Sequence, residues 1–337
     1  MADGTNRKIT LKSRPSGYPT PTDFEMIEEP IPQPGEGEVL VQAIWLSLDP
    51  YMRGRIGEGA SMAGPLPLGE VMIGGVVGRI VKSRNPSFSA GEIVEGNLGW
   101  QEYATSNGTD LRRVDASLGP LSTALSVLGM TGMTAYFGFL DVCEPKPGDV
   151  VVVSAASGAV GQVVGQIAKI AGCYVVGTAG SQDKIDYIVK ELGFDAGINY
   201  KTENIGEAIA AVCPNGIDVY FDNVGGPVTD AVMENLALRA RIAICGQISQ
   251  YNLSEPEMGP RNIRMLNIRQ AKMEGFLVFQ FANRHDEGRQ RIAQWIREGK
   301  LKYREDIVEG IENAPTAFIG MLRGENFGKM LIKISDE

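Results

Sequence analysis

Histidine is nearly missing from this chain of 337 residues: His285, in the polar stretch NRHDEG, is the single copy. A histidine base, or a metal held by imidazoles, therefore has nothing to draw on beyond a segment where a surface role is expected. Cysteine is sparse too. Cys143, Cys173, Cys213 and Cys245 lie far apart with no CxxC, so four free thiols are expected, with no disulfide framework or metal knot. No apolar run is long enough to cross a bilayer, and the opening MADGTNRKITLKSRPSG lacks the apolar core of a secretion signal. A cytoplasmic location with no membrane partner is the expectation. Net charge is −9 with no basic tract, which argues against nucleic acid as a partner and is read as serving solubility.

What is present is an ordinary globular composition, 43% hydrophobic and 22% charged, in a chain long enough for two domains. The first part is rich in glycine and proline and carries short alternating runs such as EVLVQAIWLSL and GGVVGRIVKS. These predict a mostly antiparallel, barrel-like domain. From Leu121 the texture changes. KPGDVVVVSAA, CYVVGTAG, AGINY, IDVYFDNVG and RIAICGQIS read as strands, separated by helical segments such as AVGQVVGQIAKIAG and SQDKIDYIVKELG. That alternation predicts an α/β domain with a doubly wound parallel sheet. The tail from Arg304 has strand-like ends and is expected to return to the first domain. The expected partition is 1–125, 126–303 and 304–337.

The segment ASGAVG, after a strand and before a helix, resembles GxGxxG with alanine first: Ala156, Gly158, Gly161. The second glycine lets backbone approach a pyrophosphate, and the third lets helix and strand pack closely. Alanine can replace the first only if the turn there does not demand positive φ. Backbone N–H groups at the helix start would hold the phosphate. An acid about 20 residues on normally grips a free ribose 2′-hydroxyl; here Gly180 stands in its place. Asp183 falls in the first turn of the next helix, where an acid serves capping alone. Lys184, beside Ser181, offers a cation for a 2′-phosphate or is simply a solvated helix lysine. NADPH is the cofactor expected.

Seven stretches then combine: LSLDPYMRGR (46–55), GMTGMTAYFG (129–138), AASGAVG (155–161), FDNVGG (221–226), CGQISQYN (245–252), KMEGFLV (272–278) and GENFGK (324–329). Through them the chain resembles, nearly end to end, the zinc-independent medium-chain dehydrogenase/reductases. Within these it is similar to the branch of prostaglandin reductase, plant alkenal double-bond reductase and bacterial curcumin reductase. The resemblance implies a GroES-like, mostly-β catalytic domain and a Rossmann domain with NADPH in the cleft between them. It also implies homodimers formed through edge strands of the Rossmann sheets, and reduction of the carbon–carbon double bond of α,β-unsaturated aldehydes and ketones. It places the pyrophosphate turn on Gly158, Ala159, Val160 and Gly161, and the 2′-phosphate and adenosine contacts on Lys184 and Tyr200, with Gly180 and Ser181 beside them. The nicotinamide side falls on Asn223, on Cys245, Gly246, Gln247, Ile248, Ser249 and Tyr251, and on Phe276, Leu277 and Val278. Asn326 matches a late contact from the tail. Tyr51 matches a substrate-pocket tyrosine, and Tyr251 the tyrosine near the substrate carbonyl. Zinc-dependent relatives have a cysteine where this chain reads SLDPYM and Gly-His-Glu where it reads LGEVM, so no catalytic zinc is expected.

Reduction of such a small-molecule enone needs no metal, only geometry and a donor aimed at the carbonyl oxygen. Tyr251 supplies that donor in this reading, shared with the nicotinamide ribose 2′-hydroxyl. The competing readings are a tyrosine anchoring its loop for Tyr251, a turn packed on the barrel for Tyr51, and a small buried residue for Cys245. Asp49 and Arg53 are expected as an exposed pair of little weight, and Met130 and Met133 as core. The loops 54–71 and 251–262, rich in small and apolar residues, hint at a roomy apolar cleft. A quinone reductase on the same fold, and a protein that binds NADPH without catalysis, are the alternative functions.

Overall fold

A computed structural model of the chain describes residues 4–57 and 64–337; residues 58–63 of the loop 54–71 lie outside them. Two compact units are formed: Met1–Ser126 with Glu305–Asn326 and Met330–Glu337, and Val127–Arg304 with Phe327–Lys329.

The first unit contributes β1 (Thr5–Leu11), β2 (Phe24–Pro30), β3 (Val39–Ser47), β4 (Val76–Ser83), β5 (Ile93–Gly96), β6 (Tyr103–Ser106) and β7 (Arg112–Arg113), and the short helix α1 (Met52–Ile56). β1 and β2 form an antiparallel hairpin. β3 is the hub: it pairs antiparallel with both β4 and β6, and eight of its nine residues are buried, so its apolar run is continuous instead of alternating. The core of this unit is built on aromatic rings. Phe24 stacks on Trp100 at 5.9 Å, and Phe318 meets both edge-on, at 6.3 Å and 5.7 Å. Such pairs contribute about 0.5–1.5 kcal/mol beyond the area they bury.

The second unit carries β8 (Val150–Val153), β9 (Tyr174–Ala179), β10 (Ala196–Asn199), β11 (Ile217–Asp222), β12 (Leu236–Ile244) and β13 (Lys272–Gly275). Their order is β10-β9-β8-β11-β12-β13, and every pairing is parallel. Helices α2 (Met130–Phe137), α3 (Gly161–Ile170), α4 (Gln182–Asp186), α5 (Ile205–Val212), α6 (Gly226–Glu234), α7 (Arg264–Arg269) and α8 (His285–Arg297) accompany the strands. This is the doubly wound α/β order, and it reverses direction between β8 and β11. The crevice for a ligand lies there, outside the carboxyl ends of the strands.

Beyond Arg304 the tail belongs to the first unit except for Phe327–Lys329, which fall in the second. After β14 (Glu305–Glu309) and α9 (Ala314–Leu322), β15 (Lys329–Lys333) pairs antiparallel with β3. The sheet then reads β14-β15-β3-β4-β5-β7, with β6 on β3. All four cysteines are free thiols.

Three details depart from the sequence reading. Asp49 and Arg53 are not an exposed pair: both are buried, at 3% and 6% exposure. The Ser47 hydroxyl donates to Asp49, and Arg53 Nη2 donates to the Gly17 carbonyl at 2.8 Å. His285 is half-buried instead of serving the surface. Its ring lies 6.0 Å from that of Phe137, and its Nε2 is 3.1 Å from the Val278 carbonyl oxygen. The helix read over SQDKIDYIVKELG opens as α4 and widens into a π turn over Tyr187–Glu191, where Leu192 N–H bonds to the Tyr187 carbonyl.

Candidate active site

The strand-to-helix turn after β8 is shaped by one carbonyl. Ala155 O accepts the Gly158 N–H at 2.9 Å, and a Cβ on Gly161 would lie 2.3 Å from that same oxygen. Only glycine fits there. The positive φ of the turn falls on Ala155, at +48°, one residue before the position matched to the first glycine. Ala156 is free of that demand and is fully buried. The first helical N–H to find a backbone acceptor beyond the turn is that of Gln162, on Gly158 O. The Ala159 amide flanks the parallel bridge between Gly158 and Gly328, and those of Val160 and Gly161 have no backbone acceptor among the described residues. Two unpaired donors at the start of a ten-residue helix, with the adjoining glycine turn, offer an anion cradle.

Two buried glutamines on α3, which the sequence reading passed over, hold a wall beside this turn. Gln162 accepts from Arg304 N–H at 3.0 Å and from the Tyr187 hydroxyl at 3.2 Å, and donates to Arg304 O at 3.2 Å. Gln166 exchanges bonds with the Lys302 backbone, both at 2.8 Å. Gly328 N–H then donates to Ser157 O at 3.1 Å, and Arg304 covers the Phe327 ring at 3.9 Å. The chain thus carries Phe327–Lys329 onto the phosphate turn. Their signal in the sequence was two glutamines on the apolar face of a helix, where each needs a buried partner.

At the ends of β9 and β10 stand Gly180, Ser181, Lys184 and Tyr200. Ser181 is the N-cap of α4, yet its side chain does not cap it, which leaves the hydroxyl uncommitted to the helix. Tyr200 N–H is tied to Ala179 O at 3.2 Å. Its hydroxyl leans over Gly180, where a Cβ would lie 2.7 Å from it. Lys184, on the first helical turn, is half-buried.

The nicotinamide-side residues hang on a carboxylate that the sequence reading did not single out. Asp222, fully buried at the end of β11, accepts from the hydroxyls of Tyr220 (2.9 Å), Ser154 (3.2 Å) and Thr229 (2.6 Å). It also accepts from the amides of Val224 and Gly225, both at 2.9 Å. Its backbone carbonyl takes the N–H of Cys245 at 2.8 Å and of Gly246 at 3.1 Å. Ser154 closes the circuit by accepting Asn223 N–H through its hydroxyl and Asn223 Nδ2 through its carbonyl, each at 2.8 Å. A buried carboxylate without a cation is tolerated because five donors satisfy it. One such group thereby fixes Asn223, Cys245 and Gly246 together.

Ile248 and Ser249 lie on the short turn after Gln247, which is held to Asn223 O and Val224 O. Tyr251 follows that turn, and its phenolic oxygen accepts Gln247 N–H at 3.3 Å. Burial raises its pKa above the usual phenol value, so the O–H stays protonated and free to donate. Cys245 is pushed up to about 12 by burial and by Asp222, which makes it a poor nucleophile. Phe276 and Val278 are buried, each 7% exposed, and Phe276 packs edge-on against Phe221 at 6.0 Å. Leu277, between them, is exposed.

In the first unit, Tyr51 starts α1 with 43% of its surface open. Burial of its hydroxyl end, followed by the charge of Asp49, raises its pKa. Asn326 ends the returning segment of that unit. The structure thus gathers the predicted residues of the second unit along one carboxyl edge of one sheet. Among the described residues no group of three or more His, Cys, Asp or Glu side chains could hold a metal ion.

The residues present fit a dinucleotide: free amides at the helix start, a turn that any side chain at Gly161 would block, and no acid at Gly180. Comparison with known proteins agrees. Residues 7–114 match the family described as the N-terminal domain of oxidoreductase, and residues 159–296 the family described as zinc-binding dehydrogenase. The NADPH-dependent curcumin reductase of Escherichia coli (strain K12) is 44% identical over 337 residues, covering 98% of each chain. The 2-alkenal reductase (NADP(+)-dependent) of Nicotiana tabacum is 43% identical over 341 residues, covering 99% of this chain and 98% of that one. A crystal structure of CurA from Vibrio vulnificus in complex with NADPH superposes with a TM-score of 0.94 at 46% identity, covering 98% of this chain and 100% of that one. The chain belongs to the medium-chain dehydrogenase/reductases, in the zinc-independent branch of curcumin, alkenal and prostaglandin reductases.

Proposed function

We propose that this protein is an NADPH-dependent reductase of the carbon–carbon double bond in α,β-unsaturated aldehydes and ketones, with Tyr251 as the donor to the substrate carbonyl. The observation that carries the reading is the anion cradle at Val160 and Gly161 together with the missing acid at Gly180, in a chain whose relatives are NADPH-dependent double-bond reductases. Val160 and Gly161 would hold the pyrophosphate through their amides, with Gly158 and Ala159 in the adjoining turn. Gly180, Ser181, Lys184 and Tyr200 would surround the 2′-phosphate. Asn223, the run Cys245–Tyr251 and the backbone of Phe276–Val278 would face the nicotinamide, with Asn326 as a further contact.

When bound, the reduced nicotinamide supplies hydride to the β-carbon, and negative charge moves to the carbonyl oxygen as an enolate. Tyr251 donates its O–H to that oxygen; its own oxygen, held by Gln247 N–H, fixes the direction of the bond. The raised pKa of the phenol keeps the donor intact at neutral pH. A proton from solvent, taken up at the α-carbon of the enolate, then completes the saturated carbonyl. Tyr51 is assigned to substrate contact. β13, a sheet edge with all four residues exposed, is the surface we assign to a homodimer, in a cytoplasmic enzyme.

The test is NADPH absorbance with a panel of small alkenals, enones and simple quinones, repeated with NADH and with Tyr251→Phe. Turnover of enones with NADPH, weakened about a hundredfold by Tyr251→Phe, is expected. Turnover of quinones alone, or tight NADPH binding with no oxidation by any substrate, would overturn the assignment.

A further inference from the structure

Gly180 stands where a side chain would decide between a ribose hydroxyl and a ribose phosphate, and it is overhung by two side chains. One is Tyr200. The other is Lys201, whose Cε would lie 3.1 Å from a Cβ on Gly180. Lys201 is the second residue after β10, and its N–H is pinned to Asn199 Oδ1 at 3.1 Å. The Asn199 N–H is in turn held by Glu203 at 2.6 Å, so the turn that aims the lysine is fixed by its own hydrogen bonds. The neighbouring lysines are engaged: Lys169 with Asp195 at 2.7 Å and Lys190 with Asp186 at 2.8 Å. Lys201 has no carboxylate partner among the described residues, and it is exposed, so its ammonium needs no desolvation before it meets an anion. Its stem lies along the glycine while its head remains in water.

A phosphate monoester near neutral pH carries about −1.5 to −2 charge. One lysine leaves much of that charge unmatched. We propose that Lys201 is a second cation of the 2′-phosphate pocket, acting with Lys184 to select the phosphorylated nicotinamide cofactor; this rests on the NADPH reading above. The same geometry gives the selection a steric side. An aspartate at position 180, the residue that would greet a 2′-hydroxyl, collides with both Tyr200 and Lys201.

The experiment measures binding of NADPH, NADH, adenosine 2′,5′-bisphosphate and 5′-AMP to the full chain and to Lys201→Met and Lys201→Arg, with thermal unfolding of each variant alongside. Lys201→Met is expected to weaken NADPH and the bisphosphate about tenfold and to leave NADH and 5′-AMP within about twofold. Lys201→Arg is expected to restore most of the loss. Equal loss for phosphorylated and unphosphorylated ligands, or no loss for either, would overturn the proposal. If the unaltered protein shows no preference for NADPH over NADH, the cofactor reading itself fails and this inference with it, a result plain before any variant is made.

Discussion

The two ends of the cofactor-binding edge are built on opposite principles. At the end proposed for the adenosine, Gly158, Gly161, Gly180, Ser181 and Lys184 would act through local backbone shape and side chains near solvent. At the nicotinamide end, Asn223, Cys245 and Gly246 are held by Asp222, a fully buried carboxylate whose donors come from residues 154, 220, 224, 225 and 229. In the proposed function the first end would recognise and the second would position. The difference teaches where the molecule can be altered cheaply and where a single atom carries many others.

The largest expected effect therefore falls at the buried end. Asp222→Ala leaves three hydroxyls and two amides without their acceptor, and should cost about 3–5 kcal/mol of stability. It should also lower kcat more than it raises the KM for NADPH, as denaturant unfolding and steady-state kinetics would show. An unchanged kcat in the folded variant would remove the positioning role. Gly161→Ala comes next. Its methyl group would sit 2.3 Å from Ala155 O, so the phosphate turn must open, and NADPH affinity should fall about a hundredfold with a smaller loss of stability. Titration of the variant with NADPH checks this.

A third comparison uses pH. Tyr187 is raised to about 12 by burial, and Tyr220, on the Asp222 network, is raised well above its ordinary value for the same reason. A phenol whose folded pKa lies above its unfolded value stabilises the fold fully below the unfolded value near 10, and that contribution is lost as pH rises through the folded value. Melting temperature should thus fall from about pH 10 upward, and fall less in Tyr220→Phe. A transition unchanged by Tyr220→Phe would contradict it. The smallest effect expected is at the tail. Arg304→Met removes a cation from the Phe327 face, worth about 0.5–1 kcal/mol, and should weaken NADPH a few-fold.

The same contrast explains what the sequence disclosed. Period and punctuation suffice for the strands and the helix after β8, because each is a local pattern of buried and exposed residues. The glycine turn was legible too, although its positive φ lies at Ala155 and not at the position matched to the first glycine. Asp222, Gln162 and Gln166 were not singled out. Their meaning comes from partners up to 142 residues away, and no local spacing announces a polar group that will be buried. Asp49 and Arg53 were misread for the same reason. Charged residues flanking Pro50 look exposed until the fold closes over them.

The most direct test follows the transferred atom. With NADPH deuterated at the transferring position of C4 and a simple enone as substrate, the product should be a saturated ketone carrying one deuterium at the β-carbon, seen by NMR and mass spectrometry. Deuterium on the carbonyl carbon of an alcohol product, or none in any product, would contradict the account.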